Sequence, residues 1–584
     1  MNRTVPALYL QVFGFGDRAM MPWVRWTLMA AVSAAALGSG EVRAAGEAVQ
    51  WIDGPAAPTL SGSYLSGRAA QRADDWAAAA DFTREALERD PRNPVLLQRT
   101  FILMLGAGRT DEARTLAERL SAGGAEGQLV TLFQIAEDVR AGRAEPAADR
   151  MRRMSREGMG QFLHPLLDAW VTLANGDADR AVAALAPLER TSGLRPLLHL
   201  HTALIREQSG NLDAAAESYA AALEAGPALR VVQAVSGFYR RTGRAADADA
   251  AIARFMATSG DAGGMLDPGA STPIVTTPAE GMAEALFNLA VALDQEGADE
   301  TALFYARIAL HLRPDFAFAR LVVGDVLTQR KRHTEALVEF RRVAEVPALA
   351  WTGRLRIADS LANLKREDEA RDTLTAMAQE RPDRTDALVR LGDLHRQAER
   401  FAEAVGPYTR ALERTTVIEP RHWGLFYARG IAHERSKQWP QAEADFLKAL
   451  ELSPEQPYVL NYLGYSWIDR GENLERGREM VERAVRLRPN DGHIVDSLGW
   501  AHFKLGNLAD AVRYMERAVE LKAMDPVIND HLGDVYWAVG RYSEARFQWE
   551  RALLRAEEAD LIAQIREKLG RSIPRDVAGA GRRP

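Results

Sequence analysis

Three consecutive stretches near the C-terminus decide the fold: PYVLNYLGYSWIDRGENLERGREMVERAVRL (457–487), GHIVDSLGWAHFKLGNLADAVRYMERAVEL (492–521) and PVINDHLGDVYWAVGRYSEARFQWERAL (526–553). Laid over one another they align Leu463-Gly464, Leu498-Gly499 and Leu532-Gly533, spaced by 35 and 34 residues. They also align Ala484, Ala518 and Ala552, each 34 apart. Each Leu-Gly pair is followed by an aromatic-rich helical turn, a glycine and a second amphipathic stretch. A fixed period of this length marks stacked repeats of one supersecondary unit. Extended backwards, the register places unit starts at 60, 94, 128, 162, 196, 229, 283, 317, 351, 385, 423, 457, 492 and 526, which makes 14 units.

The twentieth position of each unit tests this register. It is alanine in thirteen units, from Ala79 to Ala545, and Gly477 in the other. The eighth position is Gly, Ala or Ser in 12 of the 14, with Phe101 and Ile135 as the exceptions. Small residues at fixed positions of two successive helices imply a close crossing with no room for a branched side chain. Pro91, Pro314 and Pro454 recur at position 32, where a second helix should end.

The order Leu-Gly, aromatic, Gly, Ala, aromatic, Ala, Pro at a 34-residue period resembles the tetratricopeptide repeat family over residues 60–559. The likeness is strongest from Leu391-Gly392 through Ala552. It implies an all-α superhelical solenoid of antiparallel helix pairs with a concave inner groove. The period itself predicts helix pairs and their stacking. Two departures from it predict breaks. The segment 258–282, rich in Gly, Pro and Thr, reads as a hinge loop between a block of six repeats (60–257) and a block of eight (283–558). Four extra residues around Val417–Pro420 read as a lengthened turn. A capping helix over 559–570 and a disordered tail over 571–584 complete the expected organisation.

At the other end, Arg25, the apolar run Trp26–Leu37 and Val42-Arg43-Ala44 stand in the order of a secretory signal, with cleavage expected after Ala44 and a linker over 45–59. Twelve apolar residues fall short of the roughly 20 needed to span a bilayer. Met1, Met20 and Met21 are each candidate starts. The mature chain is expected to be periplasmic, without a transmembrane segment; an unused signal would leave it anchored in the inner membrane or cytoplasmic.

Composition narrows the chemistry. The 584 residues include no cysteine and carry a formal net charge of -7, with 47% hydrophobic and 26% charged residues. That is the profile of a folded protein. It leaves no disulfide, thiolate metal site, cysteine nucleophile or cysteine-linked lipid, and no basic excess for nucleic acid. No metalloprotease, hydrolase-elbow, phosphate-loop or dinucleotide spacing occurs in the repeats. The chain therefore reads as a non-enzyme with no catalytic residue, metal or cofactor.

In the resembled family, positions 2, 5, 9 and 12 of each first helix line the groove. Here the resemblance implies a partner-binding face of Tyr427; Tyr458, Asn461 and Tyr465; His493, Asp496, Trp500 and Phe503; and Asp530, Asp534 and Trp537. Asn461, Asp496 and Asp530 form a polar ladder flanked by aromatics, suited to an extended peptide's backbone. Lysine and arginine are sparse there, so a basic or neutral peptide is expected rather than a carboxylate. The chain is similar to exported bacterial adaptors that partner carboxy-terminal processing proteases, although those are lipoproteins and this chain lacks the cysteine. The function expected is an exported scaffold or adaptor whose groove binds a peptide or protein segment. Alternatives are a scaffold in envelope assembly or surface polysaccharide export and, more weakly, a cytoplasmic co-chaperone.

Overall fold

The computed structural model describes residues 59–124, 127–259, 265–266 and 269–571. The expected signal peptide, all of the linker before Thr59 and the tail beyond Arg571 lie outside the described residues. Among the described residues there are 29 α-helices and no strand. The first 28 form 14 antiparallel pairs, and the helix Ala559–Leu569 stands last, where the sequence placed a cap. First helices begin at Leu60, Pro94, Gln128, Gly160, Arg195, Leu229, Pro278, Ala317, Ala350, Asp386, Trp423, Pro457, Gly492 and Pro526. All but Pro278 fall within two residues of the sequence register.

The pairs close in the way the small residues predict. Every one of the thirteen alanines at position 20 has 0% exposure. In ten of the twelve units with a small eighth position a large residue stands at position 24; Thr83 and Ala306 are the exceptions. A methyl group on Gly392 would lie 2.5 Å from the Tyr408 ring, and one on Gly499 2.8 Å from Met515 Cγ. Gly324 faces Phe340 and Gly533 faces Trp549 in the same manner. Two irregular units rearrange the packing, and a third, with Ile135 and Met151 both large and buried, departs from it. Where Phe101 occupies position 8, position 24 is Ala117, so the large and small partners are exchanged, and both are buried. Where position 20 is Gly477, a methyl group would meet the Gly464 carbonyl at 2.8 Å, since two glycines cross there backbone to backbone.

The chain divides into two compact units at Ala370/Arg371, whereas the sequence placed its break at 258–282. In the first unit one hydrophobic core runs from Trp76 to Leu349 without interruption. The helices Pro278–Gln295 and Asp299–Leu312 bury 13 of 18 and 11 of 14 residues. A helix apolar on all sides needs neighbours on all sides, and the N-terminal pairs supply them. Trp76 meets Phe304 edge to face at 5.6 Å, and Phe133 stacks on His311 at 4.8 Å. The Trp170 indole fills the space a side chain on Gly281 would need. Polar links close the same seam: Glu137 with His311 Nε2 at 2.6 Å, Arg330 Nε with Asp74 at 3.0 Å, and Arg230 Nε with Glu284 at 2.9 Å.

The described part of the Gly/Pro/Thr segment is fastened to this core. Side chains bond its carbonyls in turn: Gln233 to Met265, Arg241 to Ser271, Arg313 to Ile274 and Gln208 to Thr276, at 2.8–3.2 Å. Met265, Leu266 and Val275 are buried. Helices run into both ends of the expected loop, to Ser259 and from Pro278, and its described part between them is fixed by bonds from its neighbours. The next helix starts five residues before the register, at Pro278. Thr277 accepts from the Glu280 N–H, and the Glu280 carboxylate accepts from the Thr276 N–H.

Candidate functional site

The second unit carries the candidate groove on the helices Trp423–Arg435, Pro457–Asp469, Gly492–Lys504 and Pro526–Ala538. Their eighth-position glycines, Gly430, Gly464, Gly499 and Gly533, pack toward second helices, which leaves positions 2, 5, 9 and 12 on the other side. Of the expected residues, Asp496 and Asp530 are buried and His493 is exposed. Tyr427, Tyr458, Asn461, Tyr465, Trp500, Phe503, Asp534 and Trp537 are half-buried.

The aromatics form two clusters. Tyr427 packs on Trp423, Phe446 and Tyr462 with ring centroids 6.0–6.1 Å apart, and burial pushes its phenol up to about 12. Tyr465 is likewise raised by burial, with Asp469 and Asp496 adding to the effect. Tyr458 lies under the Arg488 guanidinium at 5.4 Å. Further along, Trp500 stacks on His531 at 4.2 Å and tilts against Phe503 at 5.1 Å. Trp537 packs on Trp549 at 5.3 Å and Tyr542 at 4.7 Å.

The polar ladder is less free than its spacing suggests. Asp496 is bonded by His531 Nδ1 at 3.0 Å. Burial alone would lower the His531 pKa, but the Asp496 carboxylate overrides it and holds the ring above its ordinary value. His493 stands 3.8 Å from Asp525, at the edge of the face. Asp530 and Asp534 each accept from Lys568 Nζ at 2.7 Å, and Asp534 also accepts from Trp549 Nε1 at 3.2 Å. Burial pushes Asp530 up; Lys568 opposes this and Asp534 reinforces it.

His531 and Lys568 were not among the sequence candidates, yet the register contained them. His531 follows Asp496 by 35 residues, and Lys568 follows Asp534 by 34. The cap continues the repeat for one more half-unit, so its residues meet the last groove positions. Several buried polar atoms in this unit lack a hydrogen-bond partner, and three of them fall at candidate groove positions. Asn461 Oδ1, Trp500 Nε1 and Asp530 Oδ1 are buried without a hydrogen-bond partner. They lie on three successive first helices and offer an acceptor, a donor and an acceptor. Among the described residues no group of three or more His, Asp or Glu side chains could hold a metal ion, and no helix is long and apolar enough to cross a membrane.

The tetratricopeptide repeat family model matches residues 166–229, 355–418, 389–457, 427–492, 469–527 and 497–560. These segments carry tetratricopeptide repeats. The repeats in the second unit are matched almost throughout, including every candidate groove residue. The chain is similar to a TPR repeat-containing protein of Pseudomonas aeruginosa, 29% identical over 201 residues, which are 34% of this chain and 33% of that protein. It is also similar to human protein O-mannosyl-transferase TMTC3, 28% identical over 240 residues, 38% of this chain and 25% of that protein. The chain thus spans about a third and a quarter of these two relatives.

Among solved structures, the crystal structure of the APC/C hetero-tetramer Cut9–Hcn1 aligns with 88% of this chain and 96% of that one, at 14% identity and TM-score 0.38. YrrB, described as a TPR protein with an unusual peptide-binding site, aligns with 33% of this chain and 97% of its own, at 18% identity and TM-score 0.26.

Proposed function

We propose that this chain is a non-enzymatic, exported scaffold or adaptor that holds an extended peptide or protein segment against the inner face of its C-terminal repeats. The observation that carries this reading is the run of unsatisfied groups at Asn461, Trp500 and Asp530. A buried polar atom without a partner costs about 1–3 kcal/mol, so three on one face favour a ligand that completes them. An extended backbone alternates N–H and C=O groups and answers such a row. The flanking aromatics add contact area at low entropic cost.

Neighbouring helices sit ~8–10 Å apart, so the row from Asn461 to Asp530 spans ~16–20 Å. At ~3.3 Å per residue that accommodates about five or six extended residues. Export is supported by the charged start, apolar run and Ala44 site of the sequence. Partnership with an envelope protease, in the manner of the adaptors the repeats resemble, is part of the same proposal. The name of the human relative denotes a transferase, but no transfer chemistry is proposed for this chain.

The test is capture of peptides from an array of random octapeptides by the purified chain, compared with an Asn461→Ala, Trp500→Phe variant. These changes remove two unsatisfied groups without breaking an internal bond. Retained peptides should lose about tenfold in affinity in the variant. Equal capture by both proteins, with the fold intact by circular dichroism, overturns the groove assignment.

A further inference from the structure

The far end of the groove holds a charge arrangement that the peptide reading leaves unexplained. Asp530 and Asp534 share one ammonium, Lys568 Nζ, at 2.7 Å from each. Lys568 is the one cation bonded to both carboxylates, while the nearby His531 is already bonded to Asp496, and the Asp530 side chain is only 7% exposed. Its second oxygen, Oδ1, is buried and accepts nothing. A carboxylate more than nine-tenths buried with an unused oxygen costs free energy unless a further donor reaches it. Burial pushes Asp530 up, opposed by Lys568 and His531 and reinforced by Asp534.

The cation already present comes from a lightly held element. Of the eleven residues in Ala559–Leu569, Ile565 alone is buried, whereas Pro526–Ala538 buries seven of thirteen. Lys568 is therefore an ammonium borrowed from the edge of the array. A second, independent observation points to a ligand on the same face: Trp500 Nε1, one helix earlier, is also buried and unpartnered.

We propose that Asp530 and Asp534 form a cation-accepting socket that recognises a lysine or arginine side chain of the bound segment, with Lys568 as its internal competitor. This rests on the groove reading and adds to it the chemistry of the partner: an extended segment with a basic residue toward the cap. The unused Asp530 oxygen takes the incoming N–H.

The two carboxylates and Lys568 should respond in opposite directions, which separates recognition from mere stitching of the cap. The probes are fluorescein-labelled octapeptides of alternating alanine and lysine, and the same peptide with glutamine or glutamate in place of lysine, titrated by anisotropy against the full chain. The wild type should bind the lysine peptide about tenfold tighter than the glutamine peptide, the worth of one charge-assisted hydrogen bond. Asp530→Asn should erase that preference. Lys568→Gln should enlarge it severalfold by removing the competitor. If Asp530→Asn unfolds, Asp534→Asn serves as the second test of the socket, with the same expected loss.

A lysine preference that survives both carboxylate changes, or that shrinks in Lys568→Gln, overturns the socket. So does equal binding of all three peptides, although that result leaves the groove standing. Failure of every peptide to bind overturns the groove reading itself.

Discussion

Gly430 and Phe446 meet so closely that a methyl group on the glycine would stand 2.7 Å from the ring. Phe446 is fully buried, and its other side supports Tyr462 at 5.1 Å and Tyr427 at 6.0 Å. The small residue that lets the helix pair close thereby also sets the depth of two aromatics on the groove face. Gly430→Ala should destabilise the second unit by about 1–3 kcal/mol through overpacking. Paired with Phe446→Leu, it should cost less than the sum of the two changes, because the shorter side chain makes room. Thermal unfolding of the four proteins of the cycle measures the coupling; strict additivity would mean the two residues do not share the space.

The buried pair Arg230–Glu284 joins the sixth helix pair to the seventh, and both side chains are almost inaccessible. Glu284→Gln should leave an uncompensated guanidinium and cost about 3–5 kcal/mol. Replacing both, as Arg230→Met with Glu284→Gln, should recover much of that loss. Urea unfolding followed by circular dichroism distinguishes the outcomes. A double variant no more stable than Glu284→Gln would show that packing, rather than the unpaired charge, sets the cost.

Asp294 supplies a pH dependence of unusual sign. Burial first, and then the nearby Asp325 carboxylate, push it up to about 7, against an opposing bond from Gln329 Nε2 at 3.0 Å. Its folded pKa lies above its unfolded value, so between about pH 4 and 7 the folded chain holds a proton that the unfolded chain has lost. Stability from this group is therefore greatest in acid and falls as pH rises through that window, by on the order of a few kcal/mol. Asp294→Asn should remove the decline and raise the melting temperature at pH 7 more than at pH 4. An equal shift at both pH values would assign the change to packing.

The segment from Gly269 to Thr277 should resist proteolysis despite its composition, because side chains from separate helices hold its carbonyls. Arg241→Ala removes the bond to Ser271 and the pairing with Glu207. Cleavage within 269–277 by thermolysin should then accelerate severalfold relative to the wild type, since local opening controls cutting when opening is fast. Equal cleavage rates would mean that the buried Val275, and not the carbonyl bonds, holds the segment.

Export makes a prediction that needs no structure. The mature protein recovered from its native cells should begin at Ala45, as N-terminal sequencing would show; an intact Met1, Met20 or Met21 terminus sinks the signal reading.

The helix pairs were readable in the sequence because a crossing that admits only a small residue recurs in every unit, as alanine in thirteen and as Gly477 in one. Position 8 is less uniform: Phe101 and Ala117 exchange the large and small partners, Ile135 and Met151 are both large, and Ala290 and Ala306 are both small, so no one size pattern covers every crossing. Relationships between distant repeats were not readable. Nothing in a 34-residue period says that Trp76 will meet Phe304, because that contact depends on how successive pairs turn. The groove residues fall between these cases. Their face followed from position within the unit, but the partners of Asp496, Asp530 and Asp534 required looking one unit ahead, to His531 and Lys568.

The enclosure of Pro278–Gln295 and Asp299–Leu312 by earlier helices bears on how the chain is made. Phe304 is translated 228 residues after Trp76, the side chain it covers. At ~5–20 residues per second the N-terminal helices wait roughly 10–50 s for the elements that complete their core. During synthesis they present apolar faces with no native counterpart, a window in which a holding chaperone, or passage through the membrane before folding, would protect them.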